Sequence, residues 1–135
     1  MVAYSFNPRF ETAIREGWKT QTIRATGRRA HARPGDTLQL YCGMRTAHCR
    51  KIVEDVRCTD VLKIVITFGN DGGIDRITTD GVPVRDLDAF AQRDGFIDSD
   101  DMAAFWRKEH GRLEVFHGLV IEWHMPRAAQ MGEAA

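Results

Sequence analysis

The sequence predicts an α+β fold: a small mixed, mostly antiparallel β-barrel with helices packed at its rim. Three observations lead there. Strand-like segments rich in alternating or β-branched residues run consecutively from Thr37 to Thr79 with turn residues between them. Helical signals cluster near the N-terminus and again between residues 86 and 111, so strands do not alternate with helices as a parallel α/β layout requires. At 135 residues the chain is long enough for one core and too short for two.

Asn7 followed by Pro8 is a helix start, with asparagine as N-cap and proline in the first turn. Phe10, Ala13 and Ile14 supply an apolar stripe, and Gly17 closes the helix. A strand is predicted over Lys19 to Arg24, then a basic loop from Ala25 to Arg33, ended by the turn Pro34-Gly35-Asp36. Thr37 to Cys42 alternates, with Leu38, Leu40 and Cys42 on one face, and Gly43 breaks it. Cys49 to Cys58 and Val61 to Phe68 read as two further strands.

Residues 69–73, Gly-Asn-Asp-Gly-Gly, form a strong turn signal before a short strand over Ile74 to Thr79, with Ile77 inward. Asp80-Gly81 is a hairpin-type turn, and Pro83 excludes a long helix after it. Helices are predicted over Asp86 to Gln92 and from an Asp98 cap to Gly111. The last strand, Glu114 to Trp123, is expected to turn Val115, Leu119 and Ile121 inward. One domain over 1–125 and a flexible C-terminal tail over 126–135 complete the expected organisation.

Formal net charge is zero, but the charges are segregated. Six Lys/Arg face one acid, Glu16, between Arg15 and Arg33; seven Asp face Arg85 and Arg93 between Asp80 and Asp101. The basic segment is suited to phosphate, with an attraction that weakens as salt rises. No apolar run approaches the roughly 20 residues that span a bilayer, and no signal-peptide core is present, so a cytoplasmic location and no membrane partner are expected. Cys42, Cys49 and Cys58 are odd in number and lack CxxC spacing, so reduced thiols are expected. Together with His48 they lack the paired close spacing of a zinc site, and no metal is expected. Oligomeric state is left open by the sequence.

The segment Gly17-Trp18-Lys19-Thr20-Gln21-Thr22-Ile23-Arg24 carries the chemistry. Alternation puts Lys19, Gln21 and Ile23 on one face and Thr20, Thr22 and Arg24 on the other. For Lys19 and Thr22 to act together, the chain must bend or bulge. Lysine becomes a base only where burial or neighbouring positive charge lowers its pKa, and Arg24, Arg28 and Arg29 could supply the charge. Thr22 becomes a nucleophile where a base takes its proton; in a plain strand it serves β-propensity. Asp94, at a glycine-assisted junction between the two late helices, can project into a cleft or simply cap. Tyr41 and Arg45, in a loop that follows a strand, can stack on a base and contact a phosphate; Trp18 offers another stacking surface. His110, His117 and His124 read as unrelated surface or packing residues.

Several of these motifs together resemble an ASCH domain of the PUA-like superfamily. They are Gly17-x-Lys19-Thr20-x-Thr22-Ile23-Arg24, Arg33-Pro34-Gly35-Asp36 and Leu38-Gln39-Leu40-Tyr41, with Met44-Arg45-Thr46, Cys49-Arg50 and Cys58. Later come Phe90-Ala91-x-x-Asp94-Gly95-Phe96, Met102-x-x-Phe105-Trp106 and Val120-Ile121-x-Trp123. The resemblance implies a β-barrel with helices around a cleft, and RNA, a nucleotide or a modified nucleoside as ligand. Small bacterial relatives hydrolyse the acetyl amide of N(4)-acetylcytidine with a lysine, a threonine and a glutamate. By that pattern Lys19, Thr22 and Asp94 are the catalytic set, and no cofactor is needed. Asp94 departs from the family glutamate by one methylene, and a misplacement of about 1 Å can cost on the order of a hundredfold in rate. Thr20, Arg24, Arg28, Arg29, Tyr41 and Arg45 are the expected nucleic-acid contacts. The alternatives are a non-catalytic RNA-binding module and, ranked below it, a metal-independent ribonuclease.

Overall fold

A computed structural model describes residues 1–125; the predicted tail over 126–135 lies outside the described residues. The elements in chain order are β1 (Val2–Phe6), a 3₁₀ turn (Pro8–Phe10), α1 (Glu11–Glu16), β2 (Gln21–Ala25), β3 (Thr37–Cys42), β4 (Arg50–Lys51) and β5 (Val56–Phe68). There follow β6 (Ile74–Thr79), β7 (Val82–Pro83), α2 (Leu87–Arg93), α3 (Ser99–His110) and β8 (Val115–His124). The fold is α+β, with a mostly antiparallel eight-stranded sheet and three α-helices among the described residues. None of these helices is long and apolar enough to cross a membrane.

Local signals set most boundaries. The Asn7 side chain accepts a hydrogen bond from Arg9 N at 3.0 Å, so the helical segment begins as predicted, first as one 3₁₀ turn. Gly17, at φ +88°, ends α1 by donating its N–H to the Ala13 and Ile14 carbonyls. Asp86 and Asp98 cap α2 and α3 through the N–H groups of Ala89 and Asp101. Asp80 and Gly81 both take positive φ, the geometry of a type I′ hairpin, and so pair β6 with β7, a strand not foreseen.

Two strand expectations change. The predicted strand over Cys49 to Cys58 shrinks to β4, after which a loop closed by the Lys51–Asp55 ion pair leads to β5. β5 then runs unbroken to Phe68, because an irregularity between Cys58 and Asp60 absorbs Thr59 without ending the ladder to β8. On β8, Ile121 is buried as expected, Leu119 is half-buried and Val115 is exposed. β8 lies between β2 and β5, so both of its edges are paired, and Val120 and Ile121, which alternation points to opposite faces, are both buried.

The long strand β5 organises the sheet. It pairs with β8 on one edge; on the other it meets β3 at its start and β6 at its end. β8 carries β2, and β3 carries β1 in parallel. No backbone ladder joins β1 to β2 among the described residues, so the sheet is open and the predicted barrel is not closed. Side chains cross that seam instead: the Arg24 guanidinium donates to Ser5 O at 2.9 Å, and Arg29 donates to Ala3 O. Leu38, Leu40, Ile64, Ile66 and Ile77 fill the core of the sheet.

Candidate active site

Gly17 turns the chain so that Trp18 N and Lys19 N both donate to Ala13 O, at 3.1 and 3.0 Å. Thr20 then ties two elements together: its N–H donates to Arg93 O at the end of α2, and its carbonyl accepts from Trp123 N on β8. β2 begins only at Gln21, so Lys19 stands outside the strand and is not bound by alternation. This departure from alternation lets Lys19 and Thr22 line the same cavity.

Lys19 is 2% exposed. Its ammonium donates to Gln21 O at 2.8 Å and to Asp94 O at 2.5 Å, and lies 3.8 Å from Asp94 Oδ1. The Phe10 and Phe6 rings lie 4.7 and 5.5 Å from Nζ, measured to their centroids. Asp94 is the C-cap of α2 and is also buried. Gly95 follows at φ +99°, and a Cβ there would come within 2.7 Å of Lys19 Cδ and 2.8 Å of Phe10 Cδ1. Only glycine lets the helix junction approach the lysine so closely.

Thr22 and Arg24 share a face of β2, as alternation predicts. Arg24 Nε donates to Thr22 Oγ1 at 3.1 Å, and the guanidinium packs over the Tyr4 and Phe6 rings at 5.0 and 5.1 Å. Because Thr22 Oγ1 accepts this bond, its own hydrogen remains available to a base. Lys19, Thr22, Arg24 and Asp94 all line one cavity of about 350 Å³, together with Ser5 and Phe6 of β1 and Ile23 and Ala25 of β2. Its remaining wall is largely aromatic, with Phe96 and Phe105 beside Phe10, and Trp106 beside Phe116.

Burial dominates the electrostatics. Desolvation pushes the Lys19 ammonium down from 10.5 to about 8, opposed by the Asp94 charge and assisted by Arg24 and Arg9. Desolvation likewise pushes the Asp94 carboxyl up from 3.8 to about 6, opposed by Lys19, the Gln21 amide and Arg24. Burial also lowers the Arg24 pKa. A neutral Lys19 amine has two N–H bonds, and two carbonyl oxygens stand ready to accept them. Its lone pair is thereby left for a third direction, which is what a general base needs.

The other predicted contacts lie elsewhere. Thr20 is half-buried and held through its backbone. Arg28 is exposed; Arg29 is exposed and packs its guanidinium over the Tyr4 ring at 4.6 Å. Tyr41 projects from the face of β3 opposite Leu40 and Cys42, and Arg45 is exposed in the following loop at φ +67°. None of these five lines the cavity. Cys42 and Cys58 are buried and Cys49 is exposed, all as free thiols; no group of three His, Cys, Asp or Glu among the described residues could hold a metal.

Three residues of the site escaped the sequence reading. Gln21, 1% exposed, donates its amide to Asp94 Oδ1 at 3.4 Å. Its place on the same predicted face as Lys19 was the available signal. Glu109 and His110 line the cavity from the last turn of α3, His110 with its ring 4.8 Å from that of Trp106. His110 was expected to be incidental, and nothing local marks the end of α3 as a cavity rim. Comparison with protein-family models, curated proteins and solved structures finds no match to this chain.

Proposed function

We propose that the chain is an ASCH-type, PUA-like domain that binds a nucleoside and hydrolyses the acyl amide of N(4)-acetylcytidine-type substrates. The observation that carries the reading is the convergence of Lys19, Thr22, Asp94 and Arg24 on one aromatic-walled cavity. A volume of about 350 Å³ falls in the range of small-molecule sites and suits one nucleoside rather than a folded RNA. On this reading the β1–β2 seam is the mouth through which the substrate enters.

In the proposed reaction Thr22 Oγ1 attacks the acyl carbon and passes its proton to the neutral Lys19 amine. Arg24, whose Nε already donates to Thr22 Oγ1, holds its guanidinium charge beside the reacting carbon, where it stabilises the oxyanion that develops on the acyl oxygen. When the C–N bond breaks, Lys19 returns the proton to the departing amino nitrogen. Water then hydrolyses the acyl-threonine by the same base, releasing the carboxylic acid. Asp94 balances the ammonium whenever Lys19 carries the proton. These side chains supply each step without an organic cofactor.

The test is product chromatography of N(4)-acetylcytidine incubated with the wild type and with Lys19→Ala and Thr22→Ala. Cytidine should form with the wild type only, while both variants keep a folded far-ultraviolet spectrum. Retained hydrolysis in either folded variant removes the mechanism.

A second reading, a non-catalytic RNA-binding module, draws on the exposure of Arg28, Arg33 and Arg45 outside the cavity. There the arginines would contact phosphates while the cavity receives one unstacked base.

A further inference from the structure

The buried pair is not joined as an ordinary salt bridge. Lys19 Nζ uses two donors on backbone carbonyls, and the Asp94 carboxylate stands 3.8 Å away, beyond hydrogen-bond length. A buried carboxylate needs a donor, because losing water without replacement is costly. Gln21 supplies it through Nε2, while the carbonyl of the same residue accepts from the ammonium. One residue thus holds both members of the pair.

Gln21 does not line the cavity, so it acts through its neighbours and not on a ligand. Its backbone is fixed opposite Glu122 in the β2–β8 ladder, and its side chain is almost wholly buried. Sheet pairing therefore fixes where the amide points. The amide orientation is also dictated chemically: only N–H, and not the amide oxygen, can face an ionised carboxylate.

We propose that Gln21 is the positioning residue of the site, its carbonyl locating the Lys19 ammonium and its amide keeping Asp94 ionised opposite it. The other charged groups around the pair are Arg24 from β2, Arg9 from the 3₁₀ turn, Glu122 opposite Gln21 on β8, and Glu109 and His110 at the cavity rim on α3. None of these is hydrogen-bonded to the Asp94 carboxylate as the Gln21 amide is. The amide accordingly favours the ionised carboxylate against burial, in the direction expected of a hydrogen bond to a charged acceptor. The consequence for turnover rests on the amide-hydrolysis reading above; the consequence for titration does not.

The experiment is a pH titration of the free protein by NMR, following the Asp94 carboxyl carbon and the Gln21 side-chain amide. In the wild type the Gln21 Nε2–H resonances should shift with a midpoint matching that of Asp94, near 6. Gln21→Met removes the donor at similar length and should raise the Asp94 midpoint by about one pH unit. Gln21→Glu places a second carboxyl against the first and should raise it further, since the two must share a proton. If turnover of N(4)-acetylcytidine exists, an Asp94 left protonated no longer favours the Lys19 ammonium, so the limb of kcat/KM set by Lys19 near 8 should move to lower pH while KM changes little.

A wild-type protein without turnover but with these titration shifts would overturn the hydrolase reading and leave the positioning role intact. An Asp94 midpoint unchanged in a folded Gln21 variant would overturn the positioning role. Should both variants unfold, a Gln21 amide resonance in the wild type that ignores the Asp94 titration overturns that role equally.

Discussion

Gly95→Ala tests whether the helix junction holds Lys19 in place. The substitution carries two costs that can be separated within this molecule. Alanine at φ +99° is strained by about 1–2 kcal/mol, the cost of left-handed backbone to an L-residue. The new methyl would also sit 2.7 Å from Lys19 Cδ and 2.8 Å from Phe10 Cδ1. Neither neighbour can easily yield: Lys19 is anchored at Nζ by two carbonyls, and Phe10 is packed against Phe96 and Phe105. Overpacking of this kind costs about 1–3 kcal/mol, for a total of roughly 2–5 kcal/mol. In a domain of this size that lowers Tm by roughly 10 °C. Two glycines provide controls. Gly111, at φ +73° and ψ −163°, has nothing near its added methyl and a backbone at least as restricted to glycine, so Gly111→Ala sets an upper bound on backbone strain alone; Gly27 has neither problem, so Gly27→Ala should be neutral or slightly stabilising. Urea denaturation of the three variants should rank Gly95 well below Gly111, and Gly111 below Gly27. On the proposed hydrolase reading, Gly95→Ala should also lower turnover by on the order of a hundredfold, because Lys19 has to move by about 1 Å. A Gly95 variant no less stable than the Gly111 variant would refute the close approach on which the site depends.

Asp94→Glu should raise hydrolysis of N(4)-acetylcytidine, since one more methylene can bring the carboxylate from 3.8 Å to hydrogen-bond distance of Lys19 Nζ; unchanged or reduced turnover in the folded variant counts against Asp94 as the charge partner. The rate should climb with pH up to about 8, where Lys19 becomes a neutral base, and a flat profile from 6 to 9 would exclude that role. Stability should show the opposite of an ordinary salt bridge. Between 3.8 and about 6 the folded Asp94 keeps a proton that the unfolded chain has lost, so stability falls as pH rises; between about 8 and 10.5 folded Lys19 has lost a proton that the unfolded chain keeps, so stability rises. Urea midpoints of the wild type relative to a Lys19→Met/Asp94→Leu variant should therefore be lowest between 6 and 8, and a maximum there would reverse the assignment. If Arg28, Arg33 and Arg45 each meet a phosphate of single-stranded RNA, affinity should fall roughly 20-fold from 50 to 200 mM salt, and a salt-independent affinity would set the RNA reading aside.

Where local chemistry decides structure, the sequence was legible. Asn7, Gly17, Asp86, Asp98 and Gly111 mark helix ends because capping needs only neighbouring residues. Thr37–Cys42 and Ile74–Thr79 were readable because alternation or turn residues define them. The continuity of β5 was not: Thr59-Asp60 looks like a break, and only the partner strand shows that a bulge carries the ladder through. Nor could alternation find the open seam, since whether β1 meets β2 depends on the whole path of the sheet. The site divides in the same way. Lys19, Thr22, Arg24 and Asp94 carry reactive groups at motif positions and reach one cavity. Arg28, Tyr41 and Arg45 have equally suitable chemistry, but their direction is set by loop and strand geometry invisible in composition.

The open seam and the buried pair are connected. A ladder between β1 and β2 would satisfy their edge groups, whereas the proposed entry of a substrate between them needs that edge left open. Arg24 resolves the conflict in part, because one guanidinium bridges to Ser5 O, covers Tyr4 and Phe6, and still reaches Thr22. Its positive charge inside the cavity then helps to depress the Lys19 pKa, so the group that spans the seam also tunes the buried amine. Removing it with Arg24→Met would loosen the edge and alter the site together, whereas Arg29, which bridges the same seam from outside the cavity, affects only the edge. On the proposed reading that asymmetry separates neighbouring arginines of one basic segment: the one on the inward face of β2 lines the cavity and would serve its chemistry, and the one in the loop beyond it only bridges the edge.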